Sequence, residues 1–101
     1  FILVPTVMQA TELTELPMEQ QQQVLHEMNQ VAAMVINLYS PKKLNIAALG
    51  NIVSQLHIHL IGRFTNDPAW PNPVWGQLAA NAYGEAQLEQ QLTNIRACLK
   101  R

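Results

Sequence analysis

The chain opens on an apolar run, Phe1-Ile2-Leu3-Val4, ended by Pro5, a pattern that predicts the end of a buried strand. Thr6 to Thr14 reads as a connecting segment. From Pro17 to Leu38 the period changes. Val24, Leu25, Met28, Val31, Ala32, Val35 and Leu38 recur at three- and four-residue spacing, which predicts a long helix with one core-facing stripe. Pro17 suits a first helical position, and Glu19 suits the positive end of the helix dipole. Leu16 has no side chain that can cap, so Thr14 is the nearest capping candidate. Gln22, Gln23, His26 and Gln30 fall on the other side, so the glutamine run Gln20–Gln23 is expected to be a solvated helix face.

Ser40-Pro41 ends that helix. Leu44 to Leu49 and Leu56 to Phe64 are strand candidates, and Gly50-Asn51 between them marks a turn or a close backbone approach. The spacing predicts an antiparallel hairpin with a loop of about five residues. Asn66 to Gly76 carries Pro68, Pro71 and Pro73 together with Trp70 and Trp75. It is expected to be an ordered loop, because the tryptophans need apolar surface to cover. The last element is a helix from Glu85 to Lys100 with the stripe Leu88, Leu92, Ile95 and Leu99. Arg96, Lys100 and Arg101 suit the negative end of its dipole. No internal repeat is visible. Strands and helices are segregated rather than alternating, so the fold class is α+β: an antiparallel sheet with a long helix and a C-terminal helix.

Composition narrows the picture. The 101 residues make one domain, 1–101, with 49% hydrophobic and 13% charged residues, too little charge for a disordered chain. A domain of this size buries roughly 60–70% of its surface, so burial against a second subunit would help it. The net charge of −1 lacks the broad basic footprint of a binder of long nucleic acid. Cys98 is the only cysteine, so no intramolecular disulfide can form, and a reducing, cytoplasmic home is expected. No apolar run approaches the ~20 residues that cross a bilayer, and no signal-peptide pattern is present. The chain starts at Phe1 without an initiator Met. Upstream residues, including N-terminal strands, are expected to be missing from it.

The stretch Gln55-Leu56-His57-Ile58-His59-Leu60-Ile61 carries the chemistry. Side chains on a strand alternate between faces, so Gln55, His57 and His59 share one face at ~7 Å steps while Leu56, Ile58 and Leu60 face the core. Three readings are open on the residues alone. The histidines could be structural, each satisfying hydrogen bonds. They could chelate a metal, although only His26 and Cys98 remain as further donors, both on helices, and a zinc site wants three or four ligands. Or a neutral imidazole could act as a nucleophile, with its neighbour donating a proton to a leaving group.

This segment resembles the motif of the histidine-triad (HIT) family, in which three histidines alternate with hydrophobic residues. Gln55 stands where the family has its first histidine. The string Gln55-Leu-His-Ile-His59, followed by Asp67-Pro-Ala-Trp-Pro71 and Pro73-Val-Trp-Gly76, is similar to a bacterial subgroup of the family. The resemblance runs from Phe1 to about Gly76. It implies a HIT-like fold and a homodimer. It also implies nucleotide hydrolase or nucleotidyl transferase activity at an α-phosphorus through a covalent nucleotidyl-histidine, with no metal or other cofactor required. His57 matches the attacking histidine, and His59 the last histidine, which contacts the phosphate and leaving-group region. Asn45, Gly50 and Asn51 match positions near the phosphates, and Gln55 can donate to phosphate or hold His57. Should the backbone carbonyl of Gln55 fix the His57 tautomer, the missing imidazole is tolerable. Ile52 replaces a phosphate-binding Ser of some members, and Ala47 a common Gly. These departures support the alternative of a nucleotide-binding module with little or no turnover.

The other candidates have plainer expectations. Arg63 shares the histidine face and could meet a phosphate, but reads more simply as a solvated strand end. Trp70 and Trp75 are expected to pack against the fold or a second subunit. Lys42 and Lys43 are expected as solvated charges, Cys98 as a small buried residue, and His26 on the wet side of its helix.

Overall fold

Met, Glu, Gln, Leu and Ala dominate the stretch after Pro17, and these residues lose little freedom in a helix. They form α1, Met18–Tyr39. Thr14 does not cap it but lies in a short 3-10 turn, Leu13–Glu15. Pro17 sits just outside the helix, and its carbonyl accepts the N–H groups of Gln20 and Gln21, while the Gln21 side chain donates to the Leu16 carbonyl. At the other end Ser40 turns left-handed (φ 49°) and donates its N–H to Ile36, and Pro41 then forbids continuation. The computed structural model of the chain describes residues 1–77 and 79–99. Lys100 and Arg101, expected in and beyond the last turn of the C-terminal helix, lie outside the described residues.

Three strands form one antiparallel sheet in the order β1 (Ile2–Leu3), β3 (Ile58–Arg63), β2 (Lys43–Ala47). The opening run is an edge strand rather than a buried one: Leu3 turns inward opposite Ile58, while Ile2, opposite His59, is 61% exposed. The connection between β2 and β3 spans residues 48–57, about twice the expected loop, because pairing stops at Ala47↔His59 and residues 56–57 run beside the N-terminal connection instead. There the Leu56 N–H donates to the Ala10 carbonyl at 2.8 Å.

The core lies between the sheet and α1. Leu56, Ile58 and Leu60 are all buried, as strand alternation requires. Val24, Ala10 and Leu16 pack on Leu56 and Ile58, and Met34 and Val35 pack on Leu60. The helix is rotated slightly from the predicted stripe, so Met34 is buried and Leu25 is half exposed. Close approach is possible because Gly62 continues the inward face: a Cβ there would lie 3.1 Å from Val35 Cγ1 and 3.4 Å from Pro41 Cβ.

A second helix, α2 (Glu85–Cys98), leans on α1. Ile95 reaches the Leu60 cluster and the Tyr39 hydroxyl is hydrogen-bonded to Gln91, yet no α2 residue is fully buried. Cys98 is exposed rather than buried, since it sits at the end of this lightly packed helix. His26 is on the solvent side of α1, as expected. The segregated helices and antiparallel strands make the class α+β.

Candidate active site

With α1 covering one face of the sheet, β3 presents His59, Ile61 and Arg63 on the other, and His57 continues that alternation just before the strand. Cross-strand register adds Ala47 opposite His59, Asn45 opposite Ile61 and Lys43 opposite Arg63. The two imidazoles meet edge to face, with centroids 5.3 Å apart, and Trp75 stands edge-on to His59 at 5.7 Å.

His57 Nδ1 lies 2.7 Å from the backbone carbonyl oxygen of Gln55. A carbonyl only accepts, so Nδ1 carries the proton and Nε2 keeps its lone pair. The backbone at Gln55 thus sets the His57 tautomer without help from the Gln55 side chain. That side chain turns away, donating through Nε2 to the Val7 carbonyl at 3.3 Å. His59 is held below the ordinary imidazole range, first by burial and then by the neighbouring His57, so it stays neutral at neutral pH.

The predicted phosphate contacts are dispersed. Asn45 is half-buried on the histidine face. Gly50 and Asn51 lie in the β2–β3 connection, where Gly50 has φ +78°, a conformation that suits glycine. Ile52, in the same connection, is 98% exposed and makes no core contact. Lys42 and Lys43 are exposed as expected, with the Lys43 ammonium donating to the Leu44 carbonyl.

Arg63 departs from both expectations. It is 2% exposed, neither solvated nor free to bind a phosphate. Nε and Nη2 grip the two oxygens of Asp67 at 2.8 and 3.0 Å, Nη2 also donates to the Asn72 carbonyl, and Nη1 donates to Asn45 Oδ1 at 2.8 Å. Trp70 covers it, with the guanidinium carbon 5.6 Å from the ring centroid. Asp67 further accepts the N–H groups of Phe64 and Ala69, and the Arg63 guanidinium, the largest influence, holds its carboxyl far below the usual range. This staple fastens the Pro/Trp loop to the sheet, and that loop carries Trp75. The sequence offered two signals for it: an Asp four residues after an arginine that alternates onto the histidine face, and a proline directly after that Asp.

Among the described residues no group of three His, Cys, Asp or Glu could hold a metal ion, and no helix is long and apolar enough to cross a membrane. The paired imidazoles accordingly have no third His, Cys, Asp or Glu grouped with them among the described residues.

A histidine-triad protein from Sinorhizobium meliloti superposes with a TM-score of 0.92 at 41% identity, over 97% of this chain and 73% of that one. One from Bradyrhizobium japonicum gives 0.94 at 39% identity, over 97% and 73%. One from Marinobacter aquaeolei gives 0.94 at 43%, over 98% and 72%. No curated protein matches the chain. The HIT domain model matches residues 1–66, which include both strands that build the site, and the chain therefore belongs to the histidine-triad family.

Proposed function

We propose that the protein is a nucleotide hydrolase or nucleotidyl transferase in which His57 Nε2 attacks an α-phosphorus. Membership of the family supports, in general terms, nucleotide binding with hydrolase or transferase chemistry. The observation that carries the finer reading is the 2.7 Å bond from His57 Nδ1–H to the Gln55 carbonyl, which leaves Nε2 as the ring nitrogen available to attack. Attack forms a P–Nε2 bond as the bond to the leaving group breaks. Water then cleaves the nucleotidyl-histidine to release a nucleoside monophosphate, or another acceptor takes the nucleotide. His59, kept neutral, donates a ring N–H hydrogen bond toward the phosphate and leaving group. Asn45, Gly50 and Asn51 are assigned to the phosphate oxygens, where donors stabilise the charge that spreads over them, while Gln55, its side chain turned onto Val7, serves through its backbone carbonyl by holding His57. No metal enters the covalent step. The reading takes the protein as a cytoplasmic homodimer and its ligand as a nucleotide or nucleotide conjugate. Exposed Ile2 and Ile46 on the two edge strands support association between copies.

A second reading, a binding module with slow turnover, is favoured by one observation. The Gln55 amide occupies the first-histidine position and is turned onto Val7, so that position supplies neither acid nor base.

The test is incubation with an adenosine phosphoramidate and a dinucleoside polyphosphate, with and without chelator, followed by rapid quench and intact-mass analysis. The expected result is chelator-insensitive turnover and a nucleotidylated wild-type protein, both absent in His57→Ala. Tight nucleotide binding without turnover would establish the binding module, and turnover abolished by chelator would overturn the metal-free mechanism.

A further inference from the structure

A guanidinium has donors and no acceptor. The 2.8 Å bond from Arg63 Nη1 therefore holds the Asn45 carboxamide with its oxygen toward Arg63 and its NH2 turned away from it. We propose that Arg63 and Asp67 are a positioning pair that sets the polarity of Asn45, presenting an N–H donor to the phosphoryl group above His59. The proposal rests on the phosphoryl-transfer reading above.

Three observations support it. Arg63 is buried and four of its N–H donations are spent inside the protein, so it cannot itself recruit an anion. Asp67 is pinned by donors from Arg63, Phe64 and Ala69, so the fork that grips Asn45 has no freedom to rotate. The register then places Asn45 opposite Ile61, one repeat along the sheet from the Ala47↔His59 pair and on the same face. An asparagine without such a partner could present either its oxygen or its nitrogen to the site. An oxygen aimed at a phosphate would repel it.

Two isolated changes at Asn45 separate positioning from mere stability. Asn45→Asp is isosteric and offers Arg63 a carboxylate, so the staple is kept or strengthened, but the atom facing the anion becomes a negatively charged acceptor. Asn45→Ala leaves an Arg63 donor unpaired and removes the site donor without adding charge. The expected order of melting temperature is Asn45→Asp at or above wild type, with Asn45→Ala lowest. The expected order of affinity for adenosine monophosphate, by calorimetry, is wild type, then Asn45→Ala, then Asn45→Asp, the last weakened about tenfold or more. Steady-state turnover of an adenosine phosphoramidate should follow the affinity order. A purely structural role makes the two orders parallel, and crossed orders are its contrary. Should Asn45→Asp bind and turn over like wild type while His57→Ala is inactive, the positioning role falls and the phosphoryl-transfer reading stands. Should wild type neither bind the monophosphate nor turn over the phosphoramidate, both fall.

Discussion

Adding one methyl group at Gly62 tests how tightly the helix presses on the strand that carries the histidines. The Cβ of Gly62→Ala would sit 3.1 Å from Val35 Cγ1 and 3.4 Å from Pro41 Cβ. Neither neighbour can yield. Val35 is 1% exposed, β-branched and confined to one rotamer in a helix, and Pro41 is a rigid ring that follows the helix cap. Overpacking of this kind costs about 1–3 kcal/mol. Replacing glycine also narrows the unfolded ensemble, which offsets roughly 0.4–1 kcal/mol. Taking the middle of each range, the net loss is about 1.3 kcal/mol, or a fall in Tm of roughly 5–10 °C for a domain of this size. Urea unfolding followed by circular dichroism measures it. Val35→Ala removes the obstructing methyl groups, so the double variant should lose less stability than the two single losses added together. A Gly62→Ala protein as stable as wild type, or strictly additive losses, would refute the close approach of α1 to β3.

Three further outcomes are expected. His59 has a folded pKa below its ordinary value of 6.5, so the unfolded state binds more protons. Stability from this residue is therefore complete above about pH 6.5 and is lost as the pH falls toward the folded value, a slope that His59→Gln should remove from urea-unfolding profiles; an unchanged slope would show that His59 is not the group responsible. Gln55→Ala loses its bond to Val7 but keeps the backbone carbonyl that holds His57, so stability should drop by about 0.5–1.5 kcal/mol. Its kcat should fall less than about tenfold, short of the about 10²–10⁴-fold typical of losing a general acid or base, and a loss as deep as that of His57→Ala would place the tautomer control in the side chain. Cys98 is exposed, so an aromatic disulfide reagent should titrate it in the native protein, and Cys98→Ser should change stability by no more than about 0.5 kcal/mol; a thiol that reacts only in denaturant would contradict its placement.

Local periodicity decided much of this protein. Alternation along Leu56-His57-Ile58-His59-Leu60 is enough to send leucine and isoleucine to the core and both imidazoles to the opposite face, because a strand leaves no other choice. The spacing of Val24, Met28, Val31 and Val35 likewise required a helix with one buried side. The exact rotation of that helix was not legible: Met34 replaced Leu25 in the core because the sheet, not the helix, chose which flank to cover. Arg63 is the larger case. In sequence it is a charge at a strand end. In the fold it is buried, because Asn45 from β2 and Asp67 and the Asn72 carbonyl from the Pro/Trp loop together replace the water that a guanidinium would otherwise demand. The His57 tautomer follows the same rule in miniature: the histidine is visible in the sequence, but the carbonyl that fixes its proton is found only once the backbone before β3 has its shape. Cys98 erred in the other direction, since a small apolar residue is buried only where a partner surface covers it, and α2 offers none there. Periodicity assigns a residue to a face; what that face meets is set by segments distant in the chain, and only the tertiary structure brings them together.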